Sequence, residues 1–235
     1  MTVPLRERVR AALYPHPSPP DPFEVIVREA ARTLQPVLDF GAGRGAAAPR
    51  FPPADALVVG ADTGRHIREN KTLDARVVFD GVRLPFHDES FGLCLMRWVV
   101  EHLPEPPATF REVHRVLRSG GRLVILTSNL WFYAYVVARL VPNRVHPWIV
   151  RAISGRSESE TFPTRYRANT RGRLRRALTQ AGFRERALLG FQRGAGYLDF
   201  SLPTLLIGAA YERLVNGTQA LAPLRQNLIA DFERV

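Results

Sequence analysis

Cysteine and lysine are almost missing from this chain. Cys94 is the only cysteine among 235 residues, so no intrachain disulfide is possible and no cysteine-based metal site is credible. No metal site of another kind is expected. No apolar run reaches the roughly 18 residues that span a bilayer. The first residues, MTVPLRERVRAAL, lack the apolar core of a secretory signal. The expected compartment is the cytoplasm. Lys71 is the only lysine, so the 33 basic residues are nearly all arginine, against 22 acidic ones and a net charge of +11. Such an excess suits an anionic partner. It also suits the arginine- and alanine-rich composition of a GC-rich coding sequence. Internal repeats and low-complexity tracts are missing as well.

What is present reads as one α/β domain. Its apolar fraction of 46% is ordinary for a globular protein. Pro15 to Pro22 forms an extended lead-in. A helix is predicted from Pro22 to Leu34, capped by Asp21. Short apolar runs follow at Pro36–Phe40, Ala56–Ala61, Ala75–Phe79, Phe91–Met96 and Arg122–Thr127. Runs of this kind fit strands buried on both faces of a parallel sheet. Between them lie helical patterns, the clearest at Pro106–Leu117, with Phe110, Val113, Val116 and Leu117 on one stripe. The rhythm breaks over Asn129–Tyr166, an expected insertion. A helix over Thr170–Ala181, ended by Gly182, and strands at Arg184–Phe191 and Asn227–Val235 complete the pattern. Alternation of this kind predicts a Rossmann-like, doubly wound, mostly parallel sheet with helices on both faces.

Asp39-Phe40-Gly41-Ala42-Gly43-Arg44-Gly45 directly follows the first strand. Glycines there let the backbone turn tightly and approach a ligand. Asp62 ends the second strand about 20 residues on, where an acidic side chain can hold ribose hydroxyls. Gly41, Gly43 and Ala46 also match the G-x-G-x-x-A of a dinucleotide site. The loop by itself leaves both cofactor classes open.

Three later segments carry a resemblance. Asp80-Gly81-Val82-Arg83-Leu84-Pro85-Phe86-His87-Asp88-Glu89-Ser90-Phe91 resembles the D-A-x-x-L-P-F-x-D-x-S-F-D stretch of class I S-adenosylmethionine (SAM)-dependent methyltransferases, of the type-11-like kind found in bacteria. Arg97-Trp98-Val99-Val100-Glu101-His102-Leu103 resembles the segment after their fourth strand. Arg115-Val116-Leu117-Arg118-Ser119-Gly120-Gly121-Arg122-Leu123 resembles their R-V-L-K-P-G-G-x-L turn. With the glycine loop, four motifs stand in order over Val37–Ser128. Gly92 and Ser119 depart from the pattern, which has Asp and Pro there.

The resemblance implies a SAM site whose demethylated product is S-adenosylhomocysteine. Asp39, Gly41, Ala42, Gly43 and Gly45 would face its methionine part, and Asp62 with Thr63 its ribose. Asp80, Gly81 and Val82 would face adenine, and Arg97 and Trp98 would line the pocket near the sulfonium. The organisation expected on this basis is one methyltransferase domain over 1–235. It comprises a lead-in and helix (1–35), a SAM-binding core (36–128), an acceptor-side insertion (129–169) and C-terminal helices and strands (170–235).

His102, just past the fourth strand, is the candidate general base for an oxygen acceptor. His114, mid-helix, reads as solvated. The stretch Pro163-Thr164-Arg165-Tyr166-Arg167-Ala168-Asn169-Thr170 resembles a P-T-x-Y-R-x-N-T segment of bacterial methyltransferases that act on surface polysaccharides and lipid carriers. Trp131, Arg165 and Tyr166 are therefore expected to bind the acceptor, a small molecule or one linked to lipid or sugar. The aromatic residues Trp131, Phe132, Tyr133, Tyr135 and Trp148 stand among arginines, including Arg139, Arg144, Arg151 and Arg156, opposed by Glu158 and Glu160. Together with the apolar stretch Tyr197–Leu214, they suggest peripheral contact with the inner membrane face. Three rival readings stand beside this one. The first is a C-methyltransferase of quinone or polyketide type. The second is an NAD(P)-dependent oxidoreductase, disfavoured because no Tyr-x-x-x-Lys pair exists. The third is a non-catalytic SAM-fold partner subunit. A nucleic-acid partner is disfavoured because no N-P-P-Y-like segment is present.

Overall fold

The computed structural model describes residues 4–14, 21–45, 56–140 and 163–235, with no side-chain detail for 138–140. The proline-dense lead-in from Pro15, Ala46, and Arg144, Trp148, Arg151, Arg156, Glu158 and Glu160 lie outside these residues, as does the side chain of Arg139. The chain divides into two compact units.

The larger unit comprises residues 21–128, 164–189 and 228–235. Its first helix, α2 (Pro22–Ala30), is capped as the sequence suggests: the Asp21 carboxylate accepts from Glu24 N at 2.8 Å. It stops at Ala30, short of the expected Leu34, and Ala31–Leu34 form a turn into the first strand.

The seven strands are β1 (Val37–Phe40), β2 (Val58–Asp62), β3 (Ala75–Val78), β4 (Phe91–Arg97), β5 (Leu117–Ser128), β6 (Phe183–Phe191) and β7 (Asn227–Arg234). They lie in the order β3-β2-β1-β4-β5-β7-β6, and the pairings that join β1 through β5 are all parallel. Order reverses between β1 and β4, as in doubly wound sheets whose ligands sit beyond the strands' C-terminal ends. The Rossmann-like class is thus as expected.

α3 (Pro106–Val116) buries Phe110, Val113 and Val116, with Leu117 next to them at the start of β5. The next helix of this unit, α5 (Arg171–Gln180), is capped by Thr170 and buries Leu174, Ala177 and Leu178. The core runs from Leu38 and Phe40 through Cys94, Met96, Leu123 and Ile125 to Leu228 and Phe232. His114 is half-buried, less open than expected: its ring packs edge-on against Phe183 at 5.2 Å, and burial holds its pKa below the usual value. Arg122 and Asp231 pair within the sheet through two bonds of 3.0 and 2.7 Å, a bidentate geometry that suits a poorly solvated site.

The smaller unit comprises residues 1–20, 129–163 and 190–227. Among its described residues the α-helices are α1 (Leu5–Leu13), α4 (Tyr133–Leu140) and α6 (Leu202–Gly217). Phe132 is fully buried here, ringed by Tyr133, Tyr135, Tyr197 and Tyr211 at centroid distances of 4.2 to 6.3 Å. These aromatic side chains therefore pack on one another. Arg225 is buried, and its guanidinium donates to the carbonyls of Val215, Gly190 and Thr218. On α6, Leu205 and Ala209 face inward while Leu206, Ile207 and Leu214 are exposed. Among the described residues no helix is long and apolar enough to cross a membrane.

Candidate functional site

The site is built at the C-terminal edge of β1, β2 and β4. β1 delivers Asp39, and the chain then turns through Gly41, Gly43 and Gly45, whose φ angles are +75°, +54° and +66°. Left-handed values at three positions explain why glycine occupies them. Two of the three also lack space: a Cβ on Gly41 would strike Val99, and one on Gly45 would strike Asn70. Gly43 has open space where its side chain would be, so the loop presents bare backbone there.

Asp62 closes β2 and holds this loop. One carboxylate oxygen accepts from Gly43 N at 2.9 Å, and the other accepts from Gly64 N at 2.7 Å. His66 Nε2 lies 3.6 Å from the second oxygen. Asn70, which the sequence reading did not single out, fixes the loop from below. Its side-chain amide donates to the carbonyls of Ala42 and Gly43 at 3.1 and 3.3 Å.

Asp39 is only partly exposed, and its carboxyl is pushed up to about 7. Burial is the main cause; Arg97 opposes the rise and Asp62 adds to it. Thr63 is exposed beside Asp62, and its methyl carbon would lie 3.1 Å from a Cβ on Gly81. Asp80 is exposed, and its Oδ1 accepts from Val82 N and Arg83 N at 2.8 and 3.0 Å. The Arg83 bond, then the Val82 bond, holds its pKa below the usual value. Gly81 takes φ +83° in this turn, and Val82 is exposed.

β4 ends on Arg97, which is exposed, and Trp98 follows it, 42% exposed at φ +60°. A bulky residue in the left-handed region is strained and persists only where its surroundings hold it. Here Trp98 N donates to Leu126 O at 2.9 Å. A 3-10 turn over Val100–His102 follows, leaving His102 half-buried past the strand's end, where it was expected. Arg165 is exposed and Tyr166 half-buried, and both amides bond to Glu101 O. Trp131 belongs to the smaller unit and is 58% exposed.

The remaining motif residues are structural. Arg115 reaches back to the Asp80–Phe91 stretch, donating to Leu84 O, Phe86 O and Asp88 Oδ1 as well as to Glu112. Ser90 Oγ donates to His87 O, closing the turn before β4. Gly92 departs from the family pattern for a steric reason. A Cβ there would lie 2.7–2.9 Å from the Leu34–Gln35 backbone, which leaves no room for an aspartate.

Residues 38–125 match the family model described as a methyltransferase domain. The chain is 37% identical over 109 residues to the ubiquinone/menaquinone biosynthesis C-methyltransferase UbiE of Dinoroseobacter shibae, covering 41% of this chain and 44% of that protein. It is 28% identical to the demethylmenaquinone methyltransferase of Streptomyces griseus, over 56% of this chain and 60% of that one. The chain thus spans about half the length of the curated relatives it matches. The geranyl diphosphate C-methyltransferase of Streptomyces coelicolor, solved with S-adenosylhomocysteine, has the same fold at TM-score 0.56 and 16% identity, over 90% of this chain and 78% of that one. Glycine loop, strand order and motif order agree with these matches, and over residues 38–125 the chain is similar to the methyltransferase domain of that family model.

Proposed function

We propose that the protein transfers the methyl group of SAM to a small apolar acceptor of quinone or isoprenoid type. The observation that carries the reading is the Asp62 carboxylate bonded to Gly43 N and Gly64 N at the end of β2. It sets a bare glycine backbone and an acidic group side by side, which suits an amino-acid moiety and a ribose. SAM supplies an electrophilic sulfonium methyl, so the protein's part is alignment of the acceptor and exclusion of water.

The sequence reading favoured an oxygen acceptor, with His102 as base. The relatives, C-methyltransferases among them, lend weight to carbon instead. His102 fits either atom, because carbon methylation also releases a proton. A lipid-linked acceptor and peripheral membrane contact remain part of the proposal. Their support is narrower than the sequence suggested: exposed Leu206, Ile207 and Leu214 on α6, and exposed Trp131. Incubating the protein with methyl-labelled SAM and either a short-chain demethylmenaquinone in its reduced, hydroquinone form or a catechol tests the reading. Label in the quinone ring supports it; label only in the catechol restores the oxygen acceptor.

A further inference from the structure

Glu101 is 5% exposed, and among the described residues no cation pairs with it. Both bonds to its carboxylate come from hydroxyls at the end of β5: Thr127 Oγ1 donates to Oε2 at 2.8 Å, and Ser128 Oγ to Oε1 at 3.3 Å. The chain of bonds continues. Asn169, fully buried, donates from Nδ2 to Thr127 Oγ1 at 2.7 Å and to Ser128 O at 3.1 Å. The main chain of Glu101 adds a second tie, its carbonyl accepting from Arg165 N at 2.7 Å and Tyr166 N at 3.0 Å. Tyr166 sits at φ +50°, in the same region as Trp98.

A buried carboxylate is costly unless its lone pairs are used, so such a residue is poorly explained as filler. Here one side chain and its carbonyl join the ends of β4 and β5 to the Arg165–Tyr166 turn. They do so beside two aromatic residues whose backbones need outside support. We propose that Glu101 is the positioning residue of the acceptor side, holding Arg165 and Tyr166 in place while leaving the cofactor loop alone. This rests on the methyl-transfer reading above.

Hydrogen-bond direction makes the proposal specific. Thr127 Oγ1 already accepts from Asn169, so it must donate to residue 101. Glutamine satisfies this: its amide oxygen accepts from Thr127 while its NH2 donates to the Ser128 hydroxyl. Alanine at 101 and valine at 127 both break the chain of bonds.

The test compares Glu101→Gln, Glu101→Ala and Thr127→Val, each saturated with S-adenosylhomocysteine. Amide exchange is read over residues 164–170, S-adenosylhomocysteine affinity by calorimetry, and methyl transfer with a short-chain demethylmenaquinone kept in its reduced, hydroquinone form. Glu101→Ala and Thr127→Val should speed exchange at Arg165 and Tyr166 about tenfold or more, keep the affinity within about twofold, and raise acceptor KM more than they lower kcat. Glu101→Gln should restore all three. Unchanged exchange, affinity that falls in step with exchange, or a glutamine variant as impaired as alanine would overturn the proposal. Thr127→Val decides alone if Glu101→Ala does not fold. Exchange and affinity need no acceptor. A wild type inactive on demethylmenaquinone therefore counts against the acceptor reading, while positioning is still decided by those two measurements.

Discussion

The Asp62 carboxylate accepts the Gly43 amide proton at 2.9 Å and so ties the end of β2 to the glycine loop that follows β1. The aspartate therefore sets the loop's conformation. Asp62→Ala should weaken S-adenosylhomocysteine binding by about 1–3 kcal/mol, the usual cost of leaving buried donors without an acceptor. Asp62→Asn, which can keep one acceptor oxygen, should lose less. Calorimetry on the three proteins checks the order, and equal affinities would detach the loop from binding.

Asp39 gives a pH signature. Its pKa rises from 3.8 to about 7 in the fold, chiefly through burial. The folded state thus holds more protons than the unfolded one between these values. Stability from this group is greatest below about 4, falls as pH rises toward 7, and is flat above. Asp39→Asn removes the dependence. Its stability gain over the wild type should be about 2–3 kcal/mol larger at pH 8 than at pH 5, read from denaturant midpoints. A gain that does not change with pH would contradict the assignment. An ammonium group bound beside Asp39 would favour the carboxylate, so S-adenosylhomocysteine should bind more tightly as pH rises through 7.

His102→Ala separates two roles. As general base, His102 carries a loss of roughly 10²–10⁴ in kcat with cofactor affinity nearly intact. Turnover that is unchanged would reduce it to closing the 3-10 turn at Val100–His102.

The exposed residues Leu206, Ile207 and Leu214 of α6 motivate a lipid test. The protein should float with anionic vesicles at low salt and release as salt screens the attraction. Replacing Leu206 and Ile207 with serine should reduce flotation. If flotation fails at every salt concentration, the arginine excess is compositional.

Much of this architecture was legible because buried parallel strands are written as unbroken apolar runs, and the end of β2 because Asp62 closes its run. Strand ends were less so. β5 begins at Leu117, not Arg122, because Arg118, Ser119 and Gly120 are exposed yet still in the strand. α1 carries no buried residue, so no apolar stripe marks it. The helix over Pro22–Ala30 was overextended because Ala31 is buried in the turn that follows. Tyr133 and Tyr135 read as a membrane-facing surface because a one-dimensional pattern does not show Tyr197 and Tyr211 packing with Phe132. In the sequence Glu101 stands beside the more conspicuous His102. The available signal was the hydroxyl pair Thr127-Ser128 closing an otherwise apolar strand, which asks for a buried acceptor.

Cofactor identity is the claim on which the rest stands. Calorimetry of the purified protein with SAM, S-adenosylhomocysteine and NAD measures it directly. Binding of the first two, lost together in Asp62→Ala, is the predicted result. Tight NAD binding without SAM binding would contradict the account.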